Sequence, residues 1–150
     1  PNIKVPGEAV LSVSRLSKKR HGAILVMERE DNLDKHLQGG VVIDAAVSAP
    51  ILENIFFPGS PLHDGAVIIR NSKIQKACVL LPLAPHSSEF EALGLGSRHR
   101  AALGLSQVSD ALILVVSEER GWISMALRGQ LYPNIGTVAL LDKTRDILEK

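Results

Sequence analysis

The chain has 150 residues, of which 45% are hydrophobic and 22% are charged, a balance typical of one globular domain with a sizeable core. Its formal net charge is +1 and 3% of its residues are aromatic, which argues against binding to nucleic acid, because nucleic-acid surfaces combine clustered positive charge with aromatic side chains. No apolar run approaches the roughly 18 residues of a membrane-spanning helix, and the amino-terminal stretch lacks a signal-peptide core, so we expect no membrane contact from this chain itself.

The single cysteine, Cys78, lies in the apolar run ACVLLPL at residues 77–83. One cysteine can form neither an intrachain disulfide nor a thiolate metal cluster, and its apolar neighbours predict a buried core thiol. This cysteine usage fits a reducing compartment, so we expect a cytoplasmic location. A membrane anchor, if a longer parent protein has one, would lie outside this sequence.

The first half of the chain alternates between helical and strand patterns. Residues 8–20 carry apolar side chains at near-helical spacing and end in KKR, where the helix dipole favours cations. The run GAILVME at 22–28 predicts a buried strand, and the polar stretch after it predicts a loop with one helical turn. GVVID at 40–44 predicts a second strand, and SAPILENIFF at 48–57 predicts a helix that starts after a serine cap.

The second half is richer in strands. The runs AVIIR at 66–70 and IQKACVLLPL at 74–83 flank the turn NSK and predict a β-hairpin. A long loop at 84–96 has a length typical of functional or mobile segments. A helix after GLGSRHR is followed by strand candidates at 111–117, 122–127 and 136–142 and by a charged tail. Together these elements predict one α/β domain over residues 1–150, with a mixed parallel and antiparallel sheet flanked by helices.

The stretch GLGSRHRAALG places three potential cations directly after a glycine-rich turn. Ser97 is a good N-cap residue, so Arg98, His99 and Arg100 would occupy the first helical turn, where the dipole disfavours each cation by roughly 0.3–1 kcal/mol. A bound polyanion would reverse that cost, because backbone N–H groups and arginines both bind phosphate. The alternative is a basic face exposed to water; the spacing favours an anion site.

A second motif, LHDGA, precedes a predicted core strand. An Asp-Gly pair often marks only a turn. At the start of a buried strand, however, His63 and Asp64 would lie at the sheet edge, where an imidazole and a carboxylate can ligate Mg²⁺ or Mn²⁺ or activate a hydroxyl. Gly65 would let a ligand approach the backbone closely.

A third motif, VVSEERG, carries two adjacent carboxylates at a predicted hairpin tip. Such carboxylates most often belong to a solvated turn. In the functional interpretation, Glu118 or Glu119 joins Asp64 around a divalent cation, because hard cations bound beside phosphates take one or two carboxylates and keep water ligands. A phosphate site, a metal-binding acid and a second acid together favour nucleotidyl transfer.

In this order, LHDGA, GSRHR and VVSEE resemble the diadenylate cyclase family, whose signatures are a DGA motif and an RHR motif. The stretches RHGAILVMERE, ILENIFFPGSPLHDGAVII and RHRAALGLSQVSDALILVVSEE are similar to the catalytic domain of the membrane-anchored bacterial type, and the resemblance covers a core of about residues 8–142. The family usually has threonine before RHR. Here that residue is Ser97, which keeps the hydroxyl.

The resemblance implies that two ATP molecules condense to cyclic di-3′,5′-AMP and two pyrophosphates with Mn²⁺, Mg²⁺ or Co²⁺. Two domains would meet face to face as a homodimer, so that each 3′-hydroxyl attacks the α-phosphate of the other ATP. One alternative is a module that binds ATP or cyclic di-AMP without turnover. Another is a different nucleotidyl transferase or nuclease, against which the lack of a nucleic-acid surface argues.

The resemblance also implies roles for individual residues. Asp64 would ligate the metal and help to deprotonate the 3′-hydroxyl, His63 would be its metal neighbour, and Glu119 would be a second metal carboxylate. The RHR residues would hold the phosphates and stabilise the leaving pyrophosphate, and Leu81 would help to cover adenine. The implied catalytic residues are Asp64, Arg98, His99 and Arg100; the implied ATP-binding residues are Gly65, Ala66, Leu81, Gly96, Ser97, Arg98, His99, Arg100, Ser117 and Glu118.

Overall fold

The apolar runs of the sequence form the strands of one sheet in the computed structural model, which describes residues 4–149. Residues 1–3 and 150 of the predicted domain lie outside the described residues. The strands are β1 (Ala23–Met27), β2 (Gln38–Ala46), β3 (Ala66–Arg70), β4 (Lys73–Leu80), β5 (Leu112–Val116), β6 (Ile123–Leu127) and β7 (Gln130–Tyr132). The helices are α1 (Lys4–Lys19), α2 (Ala49–Ile55), α3 (Ser88–Ala92), α4 (Ser97–Val108) and α5 (Thr137–Leu148), and a 3-10 turn spans Asp34–His36.

The sheet is mixed, as predicted. Its strand order is β2-β4-β3-β1-β5-β6-β7. The central pair β1 and β3 is parallel, whereas β5 pairs with β1 in the antiparallel sense and the β3–β4 and β5–β6 pairs are hairpins. These pairings confirm the α/β class with a mixed sheet. Within residues 4–149, no helix is long and apolar enough to cross a membrane.

Helices cover both faces of the sheet, so the central strands are buried on both sides. Along β1, Leu25 packs into a core with α1, α2 and α5, whereas Ile24 and Val26 pack with α4 on the opposite face. Because successive strand residues point to opposite faces, a strand between two helical layers must be apolar throughout. This explains why β1 appears in the sequence as an unbroken apolar run.

The last element is a helix, so the strand predicted at 136–142 is wrong. Helix α5 runs from Thr137 to Leu148 and includes most of the predicted charged tail. Its buried residues Leu140 and Thr144 lie one helical turn apart, while Val138 is 78% exposed. The four-residue period was present in the sequence, but the short apolar run before the charged residues obscured it.

Three local predictions also need correction. The loop predicted at 84–96 contains α3, which is capped by the side chain of Ser87. Strand β7 was not predicted, because a three-residue edge strand has too little pattern to be detected. The N-cap of α4 is Gly96 rather than Ser97.

Cys78 is half-buried, so the prediction of a buried core thiol is also wrong. The register of β3 against β4 shifts between Ala66 and Ile68, and Cys78 adopts a φ of +59° at this irregularity. Such a bulge breaks the alternation of side chains between the two faces. The thiol consequently lies 3.4 Å from the carbonyl oxygen of Pro61 and not in the core.

Candidate active site

The amino-terminal end of α4 borders two cavities that share Ser97, Arg98 and Glu118. The larger has a volume of about 550 Å³ and is lined by Ile24, Gln38, Asp64, Gly65, Val79, Leu80, Leu81, Leu83, Ser97, Arg98, Ala101 and Glu118. The smaller has a volume of about 160 Å³ and is lined by Gly94, Gly96, Ser97, Arg98, His99, Ser117, Glu118 and Glu119. The fold therefore brings residues of the LHDGA, GSRHR and VVSEE motifs together on the sheet face that α4 covers.

The larger cavity has an apolar side and a charged side. Ile24, Leu81 and Leu83 supply aliphatic surface, whereas Asp64 and Arg98 supply charge. An apolar wall with a few convergent polar groups is the usual form of a small-molecule site. This arrangement suits a ligand with a flat apolar end and an anionic end.

Arg98 is the residue that joins the two cavities. Its side chain is 24% exposed, and its Nη1 lies 3.4 Å from Oε1 of Glu118. Arg98 thus borders both spaces, while the carboxylate of Glu118 partly balances its charge. An arginine in this position, at the amino terminus of a helix, can bind phosphate oxygens in a bidentate manner.

Arg100 holds a neighbouring segment of the chain. Its Nε donates to the carbonyl oxygen of Ala84 at 2.9 Å, and its Nη1 donates to Nε2 of His86 at 3.3 Å. The backbone N–H of Ala84 donates in return to the carbonyl oxygen of Arg100 at 2.9 Å. Arg100 therefore anchors the segment that follows the cavity-lining residues Leu81 and Leu83, and its predicted phosphate contact stays a prediction.

His99 is buried, with only 3% of its surface exposed, and it lines the smaller cavity. Burial, and secondarily the charge of Arg98, lowers the pKa of its imidazole to about 4. His99 is therefore neutral at pH 7, so the first turn of α4 carries two cations and not the three that the sequence indicated. Within residues 4–149, both ring nitrogens are buried and neither has a hydrogen-bond partner.

His63 and Asp64 lie together at the start of β3. The Nδ1 of His63 is 2.7 Å from the carbonyl oxygen of Ser60; since a carbonyl only accepts, Nδ1 is the donor, and the neutral form of this ring has its lone pair on Nε2. That Nε2 lies 3.8 Å from Oδ1 of Asp64, whose side chain is 90% exposed. The pair thus presents one nitrogen and one carboxylate on an open surface.

The predicted metal ligands are only partly brought together. Asp64 lines the larger cavity, whereas Glu119 lines the smaller one. In the part of the chain that the structure describes, no group of three or more His, Cys, Asp or Glu side chains could hold a metal ion. His63 and Asp64 fit a hard cation only if phosphate oxygens and water complete its coordination, which is the usual mode of Mg²⁺ beside nucleotides.

Gly65 and Ala66, which were also predicted to contact the nucleotide, pack closely against other parts of the protein. Ala66 is completely buried in the core of the sheet. Gly65 lines the larger cavity with a φ of +93°, and a Cβ there would lie 2.8 Å from the backbone carbonyl carbon of Cys78. Because Gly65 lacks a side chain, β4 can approach its backbone closely. The same lack of a side chain leaves room for a ligand in the larger cavity.

The turn between β5 and β6 is internally hydrogen-bonded. The backbone N–H of Ser117 donates to the carbonyl oxygen of Trp122 at 2.9 Å, and that of Gly121 donates to the carbonyl oxygen of Ser117 at 2.8 Å. The Ser117 hydroxyl accepts from the N–H of Arg120 at 3.3 Å. This bonding fixes the segment that carries Glu118 and Glu119 at the rim of the smaller cavity.

The amino-acid sequence of the chain matches a known protein family over most of its length. Residues 10–131 match the model of the DAC family, described as the DisA bacterial checkpoint controller nucleotide-binding domain. The chain belongs to the DAC family. This confirms the resemblance inferred from the DGA and RHR motifs.

Relatives of this DAC-family chain carry names that agree with one another. It is 52% identical over 121 residues to "Diadenylate cyclase CdaS" of Bacillus thuringiensis, covering 81% of this chain and 59% of that protein. It is 43% identical over 129 residues to "Cyclic di-AMP synthase CdaA" of Bacillus subtilis, covering 86% of this chain and 46% of that protein. The chain thus spans about half the length of these relatives.

Solved structures share the fold. A double mutant of DacA from Staphylococcus aureus superposes with a TM-score of 0.91 at 36% identity, covering 98% of this chain and 97% of that one. A hypothetical membrane spanning protein from Bacillus cereus has a TM-score of 0.80 at 48% identity, covering 87% of this chain and 63% of that one. The first of these structures confirms the predicted DAC-domain fold over nearly the whole chain.

Several lining residues of this DAC-family site were not predicted. Ile24, Val79 and Leu83 form the apolar wall together with Leu81, and Gln38 borders the same cavity. In the sequence the aliphatic residues are indistinguishable from ordinary core strand residues. Their role depends on an open space between α4 and the β3–β4 hairpin, which only the tertiary structure reveals.

The depressed pKa of His99 predicts a specific acid sensitivity. An unfolded histidine has a pKa of about 6.5, so unfolding takes up a proton at His99 between pH 6.5 and about 4. The free energy of unfolding should therefore rise with pH across this window, and wild type should lose about 2–3 kcal/mol at His99 between pH 7 and 4.5. Urea denaturation of wild type and His99→Gln at both pH values measures the difference. Equal losses in the two proteins would contradict a neutral, buried His99.

Proposed function

We propose that this DAC-family domain is a diadenylate cyclase, which condenses two ATP molecules to cyclic di-3′,5′-AMP and two pyrophosphates. The observation that carries the proposal is the convergence of Asp64, Arg98 and Ser117, from three separate motifs, around two cavities with shared walls. Relatives named diadenylate cyclase and cyclic di-AMP synthase support the same activity.

The cavities suggest how one ATP binds. The aliphatic wall formed by Ile24, Leu81 and Leu83 suits the adenine ring, because it can exclude water from both the ring and the wall. The triphosphate then lies toward the amino terminus of α4, where the Ser97 hydroxyl and the Arg98 guanidinium supply donors. Neutral His99 lines the smaller cavity and carries a ring N–H that is unpaired among the described residues, without adding charge.

The exposed position of Asp64 suits attack between two nucleotides. A bond forms between the 3′-oxygen of one ATP and the α-phosphorus of the other, the bond from that phosphorus to pyrophosphate breaks, and the 3′-hydroxyl loses its proton. The Asp64 carboxylate is the proposed proton acceptor. Because its side chain is 90% exposed, Asp64 can meet a nucleotide that a second copy presents from outside.

Ring closure requires a partner copy in this proposal. One domain holds one ATP, whereas each of the two phosphodiester links of cyclic di-AMP joins two different nucleotides, so a second ATP has to be presented from outside. A face-to-face homodimer places the two reacting ends beside each other, and such alignment can lower a barrier by roughly 7–11 kcal/mol. Two reactions across the same interface then close the ring.

A divalent cation completes the proposed site. His63 through Nε2 and Asp64 through its carboxylate would hold Mg²⁺, Mn²⁺ or Co²⁺, with phosphate oxygens and water as further ligands. When bound, such an ion neutralises phosphate charge and lowers the pKa of a coordinated hydroxyl. Glu118 lines the same cavity as Asp64 and already partly balances Arg98, whereas Glu119 lines the smaller cavity.

Product analysis by mass tests the proposed activity. The chain is incubated with ATP and, in parallel, Mn²⁺, Mg²⁺ or Co²⁺, and the nucleotides are resolved by mass. The expected products are cyclic di-AMP and pyrophosphate in a ratio of one to two. Formation of ADP alone, or ATP binding without product at every metal and protein concentration, would contradict the cyclase and favour a binding module.

A further inference from the structure

We propose that Gly22 is a positioning residue for Arg98: the lack of a side chain at this position lets the guanidinium lie where the triphosphate is bound. This inference rests on the proposed function. It concerns a residue outside the three motifs, located between the end of α1 and the start of β1.

The close approach of Arg98 to Gly22 carries the inference. Gly22 is buried, and a Cβ on it would lie 2.5 Å from Cζ, 2.6 Å from Nη1 and 2.8 Å from Nε of Arg98. Three atoms of the planar group thus occupy the space that any side chain at position 22 would need. Contacts this short between a Cβ and other heavy atoms are not tolerated, so either the guanidinium or the added carbon has to move.

Position 22 requires a glycine because the space beside it is filled, and not because of its backbone conformation. The φ of Gly22 lies outside the left-handed region, unlike that of Gly65 or Gly121. An alanine could therefore adopt the same backbone angles without strain. The demand for glycine at position 22 consequently comes from the side chain of Arg98.

The guanidinium is held from two sides. The backbone of Gly22 lies against it, and Oε1 of Glu118 lies 3.4 Å from its Nη1. Because the group is the far end of a flexible side chain, an added methyl group can displace it while the fold is kept. Gly22→Ala should therefore move the phosphate-binding group of Arg98 and leave the sheet intact.

Measurements on Gly22→Ala test this role in binding and turnover. We expect the dissociation constants for ATP and for inorganic tripolyphosphate to rise about tenfold, because the displaced guanidinium loses its charge-assisted hydrogen bonds. The KM for ATP should rise with them, while the unfolding temperature stays near that of wild type. Gly7→Ala is the matched control, because a Cβ on Gly7 would meet no described atom within 4 Å.

A double-mutant cycle with Arg98→Ala separates this role from a general structural effect. If Gly22 acts through Arg98, Gly22→Ala should weaken tripolyphosphate binding in wild type and have no further effect in the Arg98→Ala background. Wild-type affinity in the single variant, or an equal loss in both backgrounds, would overturn the inference. If the binding data show coupling between the two residues but wild type forms no cyclic di-AMP, the inference is sustained and the proposed cyclase activity is refuted.

A second pair of variants covers the case in which Gly22→Ala does not fold. Lysine keeps the positive charge at position 98 but lacks the planar group that fills the space beside Gly22. We therefore expect Gly22→Ala to be tolerated in the Arg98→Lys background, with the unfolding temperature and tripolyphosphate affinity of Arg98→Lys alone. Failure of Arg98→Lys to restore folding would overturn the inference.

Discussion

Asp64→Asn should form cyclic di-AMP at least about a hundredfold more slowly than wild type while still binding ATP. An amide has nearly the shape of the carboxylate but cannot accept the 3′-hydroxyl proton, and a positioned general base contributes typically 10²–10⁴-fold to a rate. The side chain is 90% exposed, so the fold should not depend on it. Rates of product formation under saturating ATP, with ATP affinity measured separately by calorimetry, give the two quantities.

Asp142→Asn is the matched control for this experiment. Asp142 is an exposed residue of α5, which packs on the sheet face opposite to α4. It should retain both the rate and the affinity of wild type. If Asp64→Asn kept more than about a tenth of the wild-type rate, Asp64 could not be the proton acceptor.

Gly104→Ala should destabilise the protein by about 3 kcal/mol, although alanine normally stabilises a helix relative to glycine by about 1 kcal/mol. Gly104 lies inside α4, where a Cβ would be 2.1 Å from the carbonyl oxygen of Pro82 and 2.8 Å from the backbone nitrogen of Ala84. Backbone atoms cannot move aside as a flexible side chain can. The segment they belong to is also the one that Arg100 anchors, so ATP binding should weaken as well.

Thermal unfolding measures whether Gly104→Ala destabilises the protein. For a chain of this size, 3 kcal/mol corresponds to a fall in the unfolding temperature of roughly 6–12 °C. Gly7→Ala, in the helix α1, should leave that temperature unchanged or raise it slightly, because its added Cβ meets open space. A Gly104→Ala protein as stable as wild type would show that α4 and residues 82–84 are not in close contact.

The parts of the site that depend on local sequence were predictable. The LHDGA motif lies at the start of a strand and the GSRHR motif at the start of a helix, because turn residues followed by periodic apolar residues determine such boundaries. The β3–β4 hairpin was found for the same reason. Helix α5 was missed because its amphipathic period extends into charged residues that looked like a tail.

The different surroundings of the three RHR side chains follow from helix geometry. Successive residues of an α-helix are turned by about 100° around its axis, so three adjacent side chains point in different directions. In α4, Arg98 borders both cavities, His99 is buried and lines the smaller one, and Arg100 bonds to Ala84. The sequence identified the motif but not the burial that makes His99 neutral; that all three residues hold the triphosphate stays a prediction.

The close approaches at Gly22 and Gly104 could not be predicted. Each glycine has a local context that permits any small residue, and its partner lies far away or on another element: Arg98 for Gly22, and the backbone after β4 for Gly104. A single sequence contains no information on which distant atoms will fill the space beside a glycine. Tertiary packing decides both cases.

Specific activity as a function of protein concentration tests the central claim, that two copies of this domain together condense two ATP molecules. Cyclic di-AMP formed per milligram of chain is measured with Mn²⁺ and excess ATP over a range that spans the monomer–dimer transition, which is followed by light scattering. The proposal predicts that specific activity rises with concentration while dimers are scarce and becomes constant once they dominate. Constant specific activity from a demonstrated monomer would contradict it.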